Sequence, residues 1–293
     1  MNDCLVRVVS EDGLLRGALA VTTDLVTEIC RLQQTDLRAT VALGRLLSAG
    51  ALLCSTLKGN QRLALMIEGN GPLQRLSVEA DATGRLRGTV RHAQPGLPPK
   101  EGRFDVAGAI GRAGFLHVWK DLGLKEPYRS MVQLQTSEIG EDIAWYLATS
   151  EQVPSSLGLG VELDAAGQVA AAGGFLIQAL PPGDAEQLAG LEERIAALPP
   201  VTTLLRQGLG GEEILRQIFG SIPLRPAESS SLTFHCPCSR PQTEAMLLGL
   251  GAEELNALLE ERGEAEVTCE YCQQSYHFAG AELRQLLSCL AQH

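Results

Sequence analysis

Cys236-Pro237-Cys238, then thirty residues (239–268), then Cys269-Glu270-Tyr271-Cys272: these two close cysteine pairs divide the 293-residue chain. Cys4, Cys30 and Cys54 are scattered near the start without ligand-like spacing, residues 55–235 hold no cysteine, and Cys289 trails the second pair. Two close pairs separated by enough chain to build a small fold form the pattern of a tetrahedral Zn²⁺ site with four thiolate ligands. In zinc-finger peptides such a site contributes about 10–16 kcal/mol at neutral pH. The 62 residues from 232 to 293 carry only a thin leucine core and need support of that kind. The sequence therefore predicts one Zn²⁺ per chain on Cys236, Cys238, Cys269 and Cys272, with His235 and His277 as the alternative donors nearby.

Only Pro237 separates the first two thiols. Ser239-Arg240-Pro241-Gln242 reads as a capping box, which would set Cys238 just before a helix N-terminus, where the helix dipole favours thiolate. Peroxide oxidises a thiolate first to sulfenic acid and then, with a neighbouring thiol, to a disulfide. Loss of thiolates would release the metal and, with it, the fold of the unit. Four-cysteine zinc sites also serve as inert staples, and spacing alone leaves staple and switch both open.

The rest of the C-terminal unit, 232–293, is acidic, with nine Glu against Arg240, Arg262 and Arg284. Leu255, Leu258 and Leu259 mark a helix stopped by Gly263; Leu283, Leu286, Leu287 and Leu290 mark another. Residues 180–231 read as a linker. Pro181-Pro182 and Pro199-Pro200 bracket a helix that Asp184 can cap, with Leu188, Leu191, Ile195 and Leu198 on one face. A second apolar face runs over Glu212–Phe219, and Pro223, Pro226 and Ser229-Ser230-Ser231 mark an extended tether. These faces must dock on something, or the helices belong to the core; the residues leave both open.

Residues 1–179 read as an α+β core built on antiparallel or mixed sheet. Leu5–Val9 and Leu14–Val21 flank the turn Glu11-Asp12-Gly13 as a hairpin. Asp24 can cap one helix, and Thr35 or Asp36 a longer one through Leu46, Leu47, Leu53 and Leu57. Short strands follow at 63–68, 73–80 and 86–91, then a helix over 139–148 and two apolar strands at 157–163 and 169–180. The fold class expected is α+β: a core, a helical linker and a small C-terminal zinc-binding domain.

Composition bounds the partners. The formal net charge of −11 and 4% aromatic content argue against a nucleic-acid surface, which needs cations to replace released counterions and rings to stack on bases. Met1-Asn2-Asp3-Cys4-Leu5 lacks a secretory start, and the apolar stretches are expected to break before the roughly 18 residues of a membrane span. The expected compartment is the cytoplasm, where spaced cysteines bind metal or act in redox chemistry. Cys4, Cys30, Cys54 and Cys289 are read as small packing residues.

A further set of segments carries a likeness. It includes Gly44-Arg45-Leu46-Leu47, Leu57-Lys58-Gly59, Gly69-Asn70-Gly71-Pro72-Leu73 and Ala80-Asp81-Ala82-Thr83-Gly84. It continues through 140–147, Ser150-Glu151-Gln152-Val153-Pro154-Ser155 and 172–178, and ends on Phe234-His235-Cys236-Pro237-Cys238 and the second cysteine pair. In these segments the chain resembles, over nearly its whole length, the redox-regulated heat-shock chaperones known as the 33 kDa chaperonin family. The resemblance implies an ATP-independent holdase that is inactive when reduced and zinc-bound. It implies oxidation to Cys236–Cys238 and Cys269–Cys272 disulfides, zinc release, unfolding of the C-terminal unit and loosening of the linker. Unfolding proteins would be the clients, held by a homodimer, with no membrane or nucleic-acid partner and no enzyme activity.

Two other classes stay in view. A thiol oxidoreductase would need Cys269 at the helix N-terminus of a βαβ unit, whereas 267–271 and 274–278 read as a hairpin with the pair at its turn. A nucleic-acid zinc ribbon would need a basic surface where this unit is acidic.

Overall fold

A hairpin opens the chain where the sequence predicts one: β1 (Cys4–Val9) and β2 (Leu15–Val21) pair antiparallel with Cys4 opposite Val21. The computed structural model describes residues 2–96, 104–182 and 185–290. Helix α1 (Thr23–Gln33) follows, but Asp24 is not its cap. The Asp3 carboxylate, from just before β1, accepts the backbone N–H groups of Asp24 and Leu25 at 3.1 and 2.6 Å. Helix α2 (Leu37–Cys54) starts on Asp36, whose side chain accepts the N–H groups of Arg38 and Ala39.

Next come β3 (Arg62–Gly69), β4 (Arg75–Asp81), β5 (Arg85–Val90), α3 (Val106–Ile110), β6 (Gly114–Asp121), β7 (Tyr128–Gln133), α4 (Ile139–Thr149), β8 (Ser155–Leu163) and β9 (Val169–Ala179). The expected strands and helix are present; α3, β6 and β7 are additions. Helices α5 (Ala185–Ala197), α6 (Val201–Arg206) and α7 (Gly211–Phe219) lead to strands β10 (Glu228–Ser231) and β11 (Thr233–Phe234). Asp184, the expected cap of α5, lies outside the described residues.

Sheet one has the order β10-β1-β2-β9-β8, and sheet two the order β11-β5-β4-β3-β6-β7. All pairs are antiparallel except β11 with β5. Helix α2 lies between the sheets, packing on β2, β8 and β9 of one and β3, β4 and β5 of the other. All its residues except Leu37 and Arg45 are buried. It spans 18 residues and is long and apolar enough, by length and composition, to cross a membrane, although Arg38, Gly44, Arg45 and Gly50 break its apolar run as the sequence reading expects. Its burial within the fold is that of a core helix.

Sheet one is apolar on both faces, which is why β9 reads as a continuous small-apolar run rather than an alternating one. Leu5, Ala18, Ala20, Ala172 and Leu176 face the core around α2. Val6, Val8, Leu19, Val21 and Ile177 face the other way and are covered by residues of α5, α6 and α7. Leu188 and Leu191 are buried there, with Ile195 and Leu198 half-buried at the margin. The cover leaves a cavity of about 240 Å³ bordered by Phe175, Ile195, Leu198, Val201 and Ile218.

The segment expected to be an extended tether instead runs as β10 along β1, with Ser231 opposite Cys4. The chain forms two compact units, Met1–His235 and Cys236–His293. Residues 232–235, expected with the C-terminal unit, belong to the first because Leu232 is buried in its core and β11 pairs with β5.

The second unit contains α8 (Arg240–Gly249), α9 (Ala252–Arg262), the hairpin β12 (Glu264–Thr268) and β13 (Ser275–Ala279), and α10 (Gly280–Leu290). Gly263 ends α9 at φ 72°, the left-handed cap the sequence predicts. Leu247, Leu255, Ala265, Phe278 and Leu283 are its buried apolar residues.

Candidate metal centre

Hairpin register builds half of the site. Thr268 pairs with Ser275, so residues 269–274 form the turn between β12 and β13. The Cys269 N–H donates to Gln274 O, and the Gln273 N–H donates back to Cys269 O. This tight turn holds Cys269 and Cys272 on one small loop. The other half is the segment entering α8, which supplies Cys236 and Cys238.

The four sulfurs come together. Cys236 Sγ lies 3.7 Å from Cys269 Sγ, and Cys238 Sγ lies 3.2 Å from Cys272 Sγ. All four lie within 4.8 Å of one another, and each cysteine is half-buried. A tetrahedron with metal–sulfur bonds of about 2.3 Å has edges of about 3.8 Å, which is the scale of this cluster. Burial, and hydrogen bonding among the thiols, pushes the Cys272 thiol up from its ordinary value. Four thiolates this close repel one another unless a cation sits among them. The donor set therefore fits a thiophilic divalent ion.

Two residues complete the surroundings: Tyr276, which the sequence analysis did not single out, and Arg240, read there only within a capping box and as one of three basic residues. The Tyr276 hydroxyl on β13 donates to Cys238 Sγ at 3.4 Å, and that bond holds its phenol up at about 12. Arg240, at the start of α8, lies over the Phe278 ring at 4.3 Å. It also donates to His277 O at 2.9 Å and to Glu282. Arg240, two residues after Cys238, thus ties α8, β13 and α10 together. The alternation of β13, with Tyr276 and Phe278 on one face, was the available signal for Tyr276.

The local helix start differs from expectation. Helix α8 begins at Arg240 with Ser239 at the N-cap position, but Ser239 makes no side-chain cap bond, so the capping box does not form. His277 lies outside the cluster, its Nε2 3.5 Å from Glu266 Oε1 across the hairpin, and His235 is in the first unit. Burial pushes the thiols of Cys30 and Cys54 up to about 11 and about 12, so both stay protonated packing residues. Cys4 is half-buried against the α5–α7 cover. Cys289 is exposed, which corrects its reading as a packing residue: it falls off the α10 face made by Leu283, Leu286, Leu287 and Leu290.

The fold and site define a class: an α+β protein ending in a small four-thiol unit of metal-binding type. A family model described as Hsp33 protein matches residues 3–279. The 33 kDa chaperonin of Syntrophotalea carbinolica is 54% identical over 288 residues, covering 98% of this chain and 100% of the relative. That of Geobacter sulfurreducens is 50% identical over 286 residues, covering 98% and 95%. A crystal structure of the 33 kDa chaperonin of Thermotoga maritima superposes with a TM-score of 0.92 at 35% identity, covering 100% of both chains. The chain belongs to the Hsp33 family, a family of chaperones and not of enzymes.

Proposed function

We propose that this chaperone is an ATP-independent holdase of the cytoplasm, switched by the redox state of its four clustered cysteines. The observation that carries the reading is the meeting of Cys236, Cys238, Cys269 and Cys272 within 4.8 Å in a unit with so few buried apolar residues. Zn²⁺ bound by these four sulfurs, one ion per chain, supplies the cross-link that the small core lacks.

Oxidation joins Cys236 to Cys238 and Cys269 to Cys272. As each S–S bond forms, the cysteine pair gives up two electrons to one hydrogen peroxide, whose O–O bond breaks and which, with two protons, leaves as two waters. Sulfurs paired in this way no longer serve as thiolate ligands, and the unit loses its cross-link.

The consequence for clients lies in residues 180–231. Leu188, Leu191, Ile195 and Leu198 help cover an apolar sheet face whose exposure would offer a surface to unfolding proteins. Each buried Leu or Ile stabilises the cover by about 1.5–3 kcal/mol, offset by the entropy of ordering the segment. The cavity beneath α5 and α6 forfeits part of the packing that would otherwise hold it shut. A balance this close is tipped by unfolding of the unit that follows. The active form is a homodimer that binds neither nucleic acid nor membrane. The test is aggregation suppression by reduced and peroxide-treated protein: activity should require oxidation and be reversed by a thiol reductant.

A further inference from the structure

The edges of sheets one and two, as the described residues form them, are closed in different ways, with one exception. β8 edges sheet one beneath α4, α5 and α6, and its register is broken at Glu162/Leu163. β10 is four residues long, with Pro223 and Pro226 just before it, and β11 is two residues long. β7 is six residues long, pairs with β6 without a register shift, contains no proline and carries Arg129 as its one charge. Exposed edges are ordinarily blunted by charge, proline, bulges or shortness.

The outward backbone groups of β7 follow from its ladder. The Leu134 N–H donates to Gly114 O, which makes Gly114 and Leu134 a hydrogen-bonded pair. Alternation then puts the ladder bonds at Val132, Ser130 and Tyr128 and turns the N–H and C=O groups of Gln133, Met131 and Arg129 away from β6. The Gln135 side chain donates to Gln133 O at 3.1 Å. Among the described residues nothing pairs with the backbone of Met131 or Arg129.

Several of the surrounding exposed side chains are apolar. Eight large apolar residues are exposed among the described residues; Phe115 (43%), Leu124 (71%), Tyr128 (36%) and Met131 (59%) all lie on β6, β7 or their turn. Met131 stands opposite His117, which stands opposite half-buried Met66 on β3, so the outer face continues inward from the edge as a methionine-lined row.

We propose that the β7 edge captures an extended segment of an unfolded client, which adds to sheet two as a further strand. Backbone bonds to Arg129 and Met131 register the segment, and Met131 and Phe115 supply apolar contact. Unpaired groups on alternate residues select an extended backbone over a helix or a folded surface, and unfolding chains are rich in such segments. The proposal rests on the holdase reading. Alone, the edge binds weakly, because ordering a flexible segment offsets the few hydrogen bonds gained. Once the cover of sheet one is released, a client can engage both surfaces, and the second contact forms at high effective concentration. The edge therefore adds to holding in the oxidised state without making the reduced state active.

Met131→Pro tests this cleanly: it removes an outward N–H and leaves the ladder bonds of Ser130 and Val132 to β6. Met131→Lys is the milder partner should the proline disturb folding. With heat-unfolding citrate synthase as client, several-fold more of either oxidised variant should be needed than of the oxidised parent. Zinc release, protease sensitivity of residues 180–231 and the melting of the first unit should be unchanged. A valine-rich hexapeptide should bind the oxidised parent and lose binding when N-methylated at alternate amides. Variants that suppress aggregation as well as the parent would overturn the proposal. So would variants that lose self-association in sedimentation together with holding, which would assign the edge to a second copy of the chain. Failure of the oxidised parent itself to hold client would instead overturn the holdase reading, and this site with it.

Discussion

Gly17 on β2 lies under the ring of Phe219 on α7, so close that a Cβ at Gly17 would stand 2.7 Å from Phe219 Cε2 and 3.1 Å from Val8 Cγ2. The last linker helix thus seats on sheet one through a position where only hydrogen fits. Overpacking of this kind costs about 1–3 kcal/mol. Gly17→Ala should therefore loosen α7 while the zinc unit is intact. Leu191→Asp and Ile195→Asp should do the same at α5 by placing a carboxylate in the apolar cover. Each reduced variant should show protease sensitivity within 180–231 and partial aggregation suppression without oxidant. Silence from variants whose linker is demonstrably undocked would mean that the linker does not cover the client surface.

Arg240 holds the second unit together from three sides, and its loss should lower the threshold for activation. Arg240→Ala removes the ring contact to Phe278 and the bonds to His277 O and Glu282. The expected cost is about 1–2 kcal/mol. Zinc should pass faster to a chelator, and activation should need less peroxide, while the melting of the first unit stays unchanged. Equal chelation rates in variant and parent would show that these ties do not limit opening.

Asp3 gives the first unit a pH dependence of definite sign. Burial, opposed by the α1 N–H groups, raises its carboxyl from 3.8 to about 6. A raised carboxyl is disfavoured as an anion in the folded state, so its contribution is fully present below about pH 4 and is lost as pH rises through 6. Asp3→Asn removes that loss. The stability of the variant relative to the parent should improve steadily between pH 4 and 6 in urea unfolding. A difference that is flat across this window would contradict the assignment.

Cys238→Ser and Cys269→Ser each remove one corner of the sulfur cluster. Metal analysis should find one tightly held zinc in the reduced parent and none held tightly in either variant. Stripping zinc under reducing conditions should leave the cooperative melting of the first unit in place. A full zinc equivalent in either variant would refute the ligand set.

The parts legible in the sequence are those whose cause is local. The hairpin of β1 and β2, the Asp36 cap and the Gly263 stop are each written within a few residues. The cysteine cluster was legible for a similar reason, since two short loops supply all four sulfurs. Long-range causes were not. Strand β6 turns Lys120 into the interior, where it pairs with Glu151 beside Tyr146, and this buried cation breaks the apolar alternation that would have revealed the strand. The α1 cap comes from Asp3, across a whole hairpin. The apolar face of α5 was visible in its spacing, but its partner is the far side of a sheet that becomes apolar on both faces only when β1, β2 and β9 assemble. Arg240 acts through residues 37 and more positions away, which no local pattern encodes.

The redox switch is tested most directly by following bound zinc and aggregation suppression together in one reduced sample during stepwise peroxide addition. The two should change in parallel, with one zinc lost per chain as holding appears, and a thiol reductant with added zinc should reverse both. Full holding while zinc remains bound, or complete zinc loss with no holding, would contradict the switch.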